Sequence, residues 1–365
     1  MHIVCSKEKL IKNTNLALRA VSQRTTLPIL ECILLEANTL FKITGNDLEM
    51  AVETSPIEAT IIEEGSTAIN AKIFFDIIRK LPDEDIIIKV EKERTVYIKS
   101  GKVEFKIMAH SPDEFPTLPA IEKLKSYAVN SKNLKNMIRQ TIFSVSNSDD
   151  KPQLTGGLLE IEDNNLTIVA VDSFRISLRK EELIEKGENL SVIVPGKTLN
   201  EVSKILPNDE NINLYFDEKH IIFEMKEGFI VSRLLEGEFL RYKQVLEQEH
   251  STSIFVNQKD ILNSLERSTL ITSDLKRNPV TLSIDKNKMI ITSQAETGNL
   301  YDELEIQVQG KPLEISFNPK YLIDAIKVIE LETIKILFNT NKSPCIIMAS
   351  GVDNYKYLVL PLRPN

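Results

Sequence analysis

His110, Ser111 and Asp113 are the ingredients of a hydrolytic triad, set within four residues of one another. A working triad needs its nucleophile, base and orienting carboxylate to converge in space, and neighbours on one turn seldom do so. Asp149 and Asp150 resemble a metal pair, but they sit in a Ser/Asn-rich stretch where such residues build turns. The chain contains no GxxxxGK[ST] phosphate loop, no GxGxxG, no HExxH and no CxxC. Cys5, Cys32 and Cys345 have the spacing of neither a disulfide framework nor a metal site, which points to a reducing, cytoplasmic compartment. No catalytic residue, metal ligand or cofactor is therefore expected.

The remaining chemistry is cationic, and it is carried by repeated helices. Segments of one design occur at Ser6 to Ser22, Asn130 to Ser146 and Asn257 to Ser273. In each a Ser or Asn opens the segment, a Lys follows, and apolar residues recur at three- and four-residue spacing, as in Leu134, Met137, Ile138, Thr141, Ile142 and Val145. That pattern predicts a capped amphipathic helix. Lys7, Lys132 and Lys259 lie 125 and 127 residues apart. A second set begins at Lys72, Lys197 and Lys320, 125 and 123 residues apart, and each member is followed by an acidic turn and a β-rich tail. Six helices in register make a repeat of domain size. The domains expected are 1–124, 125–250 and 251–365.

Around these helices the sequence reads as antiparallel sheet. Met1 to Cys5 is a short strand, and the first helix runs to about Ser22. Pro28 leads into strand runs at ILECILLEA and LFKITGNDLEMAVET, STAIN leads into the second helix, and Pro82 ends it before two further strands. The fold class expected is α+β, each domain being two β-α-β-β-β units. With 42% hydrophobic residues, each repeat can bury its own core. The opening MHIVCSKEKL lacks the apolar core of a signal peptide, and no 18-residue apolar run occurs, so no membrane contact is expected.

Charge separates by element. The whole chain has 45 basic and 53 acidic residues, a net −8. The six helical segments nevertheless sum to +11, leaving −19 for everything else. Lysine is also a good helix former on any solvated face. The size of the repeat favours a more specific reading. A 120-residue domain has a radius of gyration of ~14 Å and a diameter of roughly 35 Å. Three such spheres in a closed ring leave a gap of about 5 Å, whereas six leave about 35 Å. A DNA duplex, roughly 20 Å across, passes only the larger hole. A non-catalytic protein-binding scaffold without DNA is the alternative, and it predicts no salt-dependent association with DNA.

Over its full length the sequence resembles the bacterial β sliding clamps, the β subunits of DNA polymerase III. The resemblance rests on TLPIL at Thr26 to Leu30, FFDIIRKLP at Phe74 to Pro82, EFP at Glu114 to Pro116, VDSFR at Val171 to Arg175, LLEGEF at Leu234 to Phe239 and LPLR at Leu360 to Arg363, in order across three repeats. It implies a head-to-tail homodimeric ring of six similar domains around double-stranded DNA, without sequence specificity. Such a ring tethers the replicative DNA polymerase catalytic subunit, is loaded by a clamp loader complex, and serves other clamp-binding-motif proteins.

The residues that would face the hole are Lys9, Lys12, Arg19, Arg79, Lys80, Lys132, Lys135, Arg139, Lys197, Lys204 and Lys327, together with Arg24, which matches a DNA-contacting position of the family. By resemblance, Phe74, Ile77, Phe105 and Ile107 meet Leu270 and Ile271 of the other copy; Phe105 and Ile107 share one face of a strand and could equally point inward. A partner-peptide pocket is implied between the second and third domains, at Leu154, Val171, Ser173, Arg175, Ile176, Leu240, Val245, Pro344, Leu358, Leu360, Pro361, Leu362 and Arg363. Leu240 stands where the family often has Pro, and Pro364-Asn365 extends past Arg363. Leu358 and Leu360 could alternatively close the core of the third domain.

Overall fold

The expected caps are formed. The side chains of Ser6, Asn70, Asn257 and Asn318 each accept from a backbone N–H of the turn they open, and Asn130 accepts from the N–H of Lys132 at 3.0 Å. Each such bond satisfies one of the donors that a helix start leaves unpaired. The helices are α1 (Lys7–Ala17), α2 (Ala71–Lys80), α3 (Ser131–Thr141), α4 (Gly196–Ile205), α5 (Tyr242–Leu246), α6 (Gln258–Thr269) and α7 (Pro319–Ile326). The computed structural model describes residues 1–22, 25–91, 94–119, 126–148, 150–271 and 279–362.

The chain divides into two compact units. The first comprises Met1–Lys132 with Glu201–Leu234, and the second comprises Asn133–Asn200 with Leu235–Asn365. Each thus takes one outer repeat and part of the middle one, because strands pair across the repeat boundaries. In the first unit, Met50–Thr54 pairs antiparallel with Gly228–Arg233 inside an eight-stranded sheet. In the second, Arg175–Glu182 pairs antiparallel with Tyr355–Val359 inside a nine-stranded sheet.

The first unit also holds a five-stranded sheet in the order Thr60–Glu63, His2–Cys5, Ile86–Val90, Thr95–Ser100, Val103–Met108. Its core joins Leu10 and Ala17 of α1 and Phe74 and Ile78 of α2 to Ile33, Ile43, Ile88 and Ile98 of the two sheets. Helix and sheet approach closely here: a Cβ on Gly45 would lie 2.2 Å from the carbonyl oxygen of Ala17. The second unit holds a four-stranded sheet in the order Gly298–Glu305, Lys288–Ala295, Val280–Asp285, Leu313–Phe317. Ile261 and Leu265 of α6, Leu322 of α7 and Phe317 and Phe338 of the sheets share its core. The α+β class with antiparallel sheets is as expected.

Several local expectations are corrected. α1 ends at Ala17 and continues only as a 3-10 turn to Ala20, short of Ser22. Pro28–Glu31 is a 3-10 turn, and the strand starts at Cys32. Three strands, not two, follow α2, because Gly101 adopts φ +55° and turns the β-rich tail back on itself. α5 was not expected. Phe74 is fully buried and Ile77 is 8% exposed, so both belong to the core and offer no surface to another copy. Phe105 is 37% and Leu270 81% exposed, while Ile107 and Ile271 are half-buried. Among the described residues no helix is long and apolar enough to cross a membrane.

Candidate partner groove and nucleic-acid interface

The C-terminal strand organises the groove. Tyr355–Val359 lies between Arg175–Glu182 and Cys345–Ala349, which sets Leu358 opposite Ile176 on one side and Ile346 on the other. Past the strand, the Leu360 N–H donates to the Phe174 carbonyl at 2.9 Å and the Leu362 N–H to the Ser316 carbonyl at 2.8 Å. The tail therefore passes the turn at Phe174 of the middle repeat and then reaches the strand Leu313–Phe317 of the last one.

Leu154, Val171, Ile176, Val245 and Leu358 are brought into one apolar cluster with Leu158, Val169 and Ile346. Tyr242 and Leu246, on the unexpected α5, belong to the same cluster. No periodicity could have announced so short a helix. Leu240 and Leu360 are 43% and 40% exposed, and Ser173 is exposed. Pro344, Pro361 and Leu362 are half-buried, and Arg363 lies outside the described residues, as do Pro364 and Asn365.

Beside the cluster, a hollow of about 490 Å3 opens between residues 237–244 and the strand Gly156–Glu162. Tyr242 and Glu160 both line it, the Tyr242 hydroxyl donating to Glu160 at 2.6 Å. Burial, reinforced by the Glu160 carboxylate, pushes the Tyr242 pKa up, so the hydroxyl remains a donor. Lys243 pairs with Glu160 at 3.0 Å and with Glu162, whose pKa that contact lowers.

Arg175 occupies a different place from the pocket lining expected of it. Its guanidinium is buried, donating to Asp172 and Asp324 at 2.9 Å each and to the Phe143 carbonyl at 2.7 Å, and it stacks 4.6 Å over the Tyr321 ring. Phe174, next to it, stacks on the other residue of that pair, Tyr321, at 5.9 Å. Arg175 thus fixes the turn that carries Ser173 and Phe174. The sequence offered no sign of Asp324 as its partner, 149 positions away.

The cationic candidates are on the surface but are not all unpaired. Lys9 pairs with Glu58, Lys12 with Glu227, Arg19 and Lys204 with Glu201, Arg139 with Glu330, and Lys327 with Asp324. Several of these carboxylates lie outside the helices, so counting charge by element overstated the local positive potential. Of these, the pairs with Glu58 and Glu330 are exposed on both sides, contribute little and exchange readily for a phosphate. Arg79 lies 5.5 Å over the Phe75 ring. Lys80, Lys132 and Lys197 are exposed and Lys135 is half-exposed, whereas Arg24 lies outside the described residues.

The triad ingredients do not assemble. His110 uses its backbone to pair with Ala68, while the Ser111 hydroxyl donates to Asp113 at 3.4 Å on a surface turn. Asp150 accepts from the Ser148 hydroxyl at 2.9 Å, and Asp149 lies outside the described residues. Among the described residues there is no group of three or more His, Cys, Asp or Glu that could hold a metal ion.

Comparison with known proteins gives a consistent result along the whole chain. Residues 1–119, 128–240 and 243–363 match the models of the N-terminal, central and C-terminal domains of the DNA polymerase III β subunit. The β sliding clamp of Halalkalibacterium halodurans is 36% identical over 378 residues, covering 100% of both chains. That of Bacillus subtilis is 35% identical over 376 residues, again covering 100% of both. The crystal structure of the Bacillus subtilis DNA polymerase sliding clamp superposes with a TM-score of 0.97 at 34% identity, covering 100% of each chain. The β subunit from the DNA polymerase of Streptococcus pyogenes gives 0.95 at 28%, also with 100% of each chain covered. The chain therefore belongs to the DNA polymerase III β-subunit family, the sliding clamps that serve as polymerase processivity factors in DNA replication.

Proposed function

We propose that two copies of this chain close head to tail into a ring around duplex DNA and tether the replicative polymerase without catalysing a reaction. The observation that carries this reading is a pair of open sheet edges. The five-stranded sheet ends at Val103–Met108, a strand whose residues are all exposed or half-buried. The four-stranded sheet ends at Gly298–Glu305, where all but one residue are exposed or half-buried. Open edges are templates for pairing with another chain, and two different edges joined head to tail give a heterologous contact that closes when the rotation fits. Phe105 and Ile107 on the first edge, with Leu270 and Ile271 near the second, are the apolar side chains proposed for the contact.

The helical cations would face the hole and attract phosphates without reading bases, which leaves the ring free to slide. The polymerase and the clamp loader would dock through apolar peptide anchors into the cluster around Ile176 and Leu358. Three domains, 1–124, 125–250 and 251–365, and a cytoplasmic location complete the proposal. Retention by encirclement has a direct test. A loaded ring should persist on nicked circular DNA and run off once the circle is linearised; equal retention on both forms would rule the mechanism out.

A further inference from the structure

The strand that leads into the first helix of each repeat has a neighbour on its outer side in two repeats and lacks one in the middle repeat. In the first repeat His2–Cys5 is flanked by Thr60–Glu63, and in the third Thr252–Asn257 is flanked by Gln307–Gly310. Ser126–Asn130 is the corresponding strand of the middle repeat. It ends the eight-stranded sheet of the first unit, with no strand beyond it among the described residues. The helix caps that follow, Ser6, Asn130 and Asn257, fix the correspondence. Tyr127 stands where Ile3 and Ile254 do, and Ala128 where Val4 and Phe255 do.

The phase of the ladder shows which groups face outward. The Ser131 N–H donates to the Glu210 carbonyl at 2.8 Å, and bonding alternates along an antiparallel ladder, so Val129 and Tyr127 bond inward to Ile212 and Leu214. The backbone groups of Ser126 and Ala128 are left pointing at the open side. At the position of Ala128, Val4 meets Thr60 and Phe255 meets Gln307. The added strand also lays a β-branched residue against the core, Ile61 opposite Ile3 and Val308 opposite Ile254.

The middle repeat has the chain length for such a strand but the wrong residue in it. The Leu183 N–H donates to the Asn164 carbonyl at 2.9 Å, as the Ile306 N–H does to the Asn287 carbonyl at 3.0 Å, and counting onward makes 184–187 the counterpart of Gln307–Gly310. These residues are exposed and form no strand, and Glu185 holds the place of Val308. Burying a carboxylate where Val308 packs would cost its hydration, which accounts for the missing strand.

The chemistry of a fitting occupant follows from the edge itself. Tyr127, edge-on to the Phe216 ring at 5.4 Å, offers an aromatic wall at the place where Ile3 meets Ile61. Lys132, in the first turn of α3, is exposed and has no ion-pair partner among the described residues. In the first repeat Lys9, in the same turn of α1, pairs with Glu58, two residues ahead of the added strand.

We propose that Ser126–Asn130 is a strand-addition site for a partner protein. It takes one extended segment running antiparallel, with a β-branched residue opposite Tyr127 and, ahead of it, a carboxylate that pairs with Lys132. Backbone bonds along the open edge supply the affinity, and these two side chains supply the selectivity. The site needs neither the ring nor the groove.

The probe is a synthetic peptide with the sequence of residues 57–64, Ile-Glu-Ala-Thr-Ile-Ile-Glu-Glu, blocked at both ends and carrying a photoreactive group. It is added to the full chain, and amide exchange is read residue by residue by NMR. The amides of Ser126 and Ala128 should exchange freely without peptide and about tenfold more slowly at saturation, with photo-crosslinks falling on 126–130. Ala128→Pro removes an outward donor and leaves the bonds to Leu214 and Ile212 in place, so the chain should fold and lose peptide binding. A peptide with glutamate in place of the isoleucine that stands for Ile61 should fail on the wild-type chain, and Lys132→Ala should weaken binding at low salt. Unchanged exchange at millimolar peptide, crosslinks elsewhere, or undiminished binding by any of the three altered molecules would overturn the proposal. So would slow exchange of both amides before peptide is added, because the edge would then be filled already by the chain itself or by a second copy.

Discussion

Arg175 and Asp324 form a buried ion pair, the guanidinium donating to the carboxylate at 2.9 Å, that ties the groove-forming turn of the middle repeat to α7 of the last one. Truncating Arg175 leaves the buried Asp324 carboxylate with Lys327 as its remaining counter-ion, so the cost should lie below the about 3–5 kcal/mol of a buried charge left wholly unpaired. Arg175→Ala should lower the melting temperature markedly and weaken peptide binding together with it. Arg175→Met, which keeps the packing against Tyr321 but still removes the guanidinium from Asp324, should recover only part of the stability. Calorimetric melts of both variants check this. A melting temperature unchanged in Arg175→Ala would show that the pair contributes nothing net.

Assembly should depend on the open edge and not on the buried helix residue first expected at the interface. Phe105→Asp places a carboxylate on the exposed face of the edge strand and should give monomers in sedimentation at micromolar concentration. Phe74→Ala removes a fully buried ring and should cost about 3–5 kcal/mol of stability. Its effect on dimerisation should come only through unfolding. Phe105→Asp remaining a dimer would place the contact elsewhere.

The repeat, the helices and their caps were legible in the sequence because each depends on local spacing: a capping Asn or Ser, then apolar residues on one face. The order Ile176, Leu358, Ile346 was not legible. It joins residues far apart in the chain through strand register, and no local pattern records which strands become neighbours. Arg175 illustrates the same limit. Its motif marked the right turn, but whether a guanidinium lines a groove or is buried behind it depends on Asp324 and Tyr321 from another repeat. The helical charges misled for a related reason, since Glu58, Glu227 and Glu330 approach the helices only in the folded chain.

The exposed lysines should set the salt dependence of DNA association. Each phosphate contact contributes about 0.9 to the slope of log K against log salt. Lys80→Ala with Lys132→Ala removes four side chains from a ring of two copies and should therefore reduce the magnitude of that slope by up to about 3.6 while leaving dimerisation unchanged. A slope identical to wild type, measured by fluorescence anisotropy on linear duplex across a salt series, would show that neither side chain meets a phosphate.

His250 should make the second unit sensitive to mild acid. Burial lowers its pKa below the ordinary 6.5, and the nearby Lys335 charge lowers it further. Its Nδ1 is buried without a hydrogen-bond partner among the described residues. A histidine depressed in the folded state binds fewer protons there than in the unfolded chain, so stability rises with pH through that window. The contribution is fully present above about 6.5 and is lost as pH falls toward the folded value. His250→Gln, which cannot take up a proton, should flatten the dependence of the denaturation midpoint between pH 7 and 5 relative to wild type. Acidic groups titrate lower and act equally in both proteins, so the difference between the two curves isolates the imidazole. Parallel curves would mean that His250 is as readily protonated folded as unfolded.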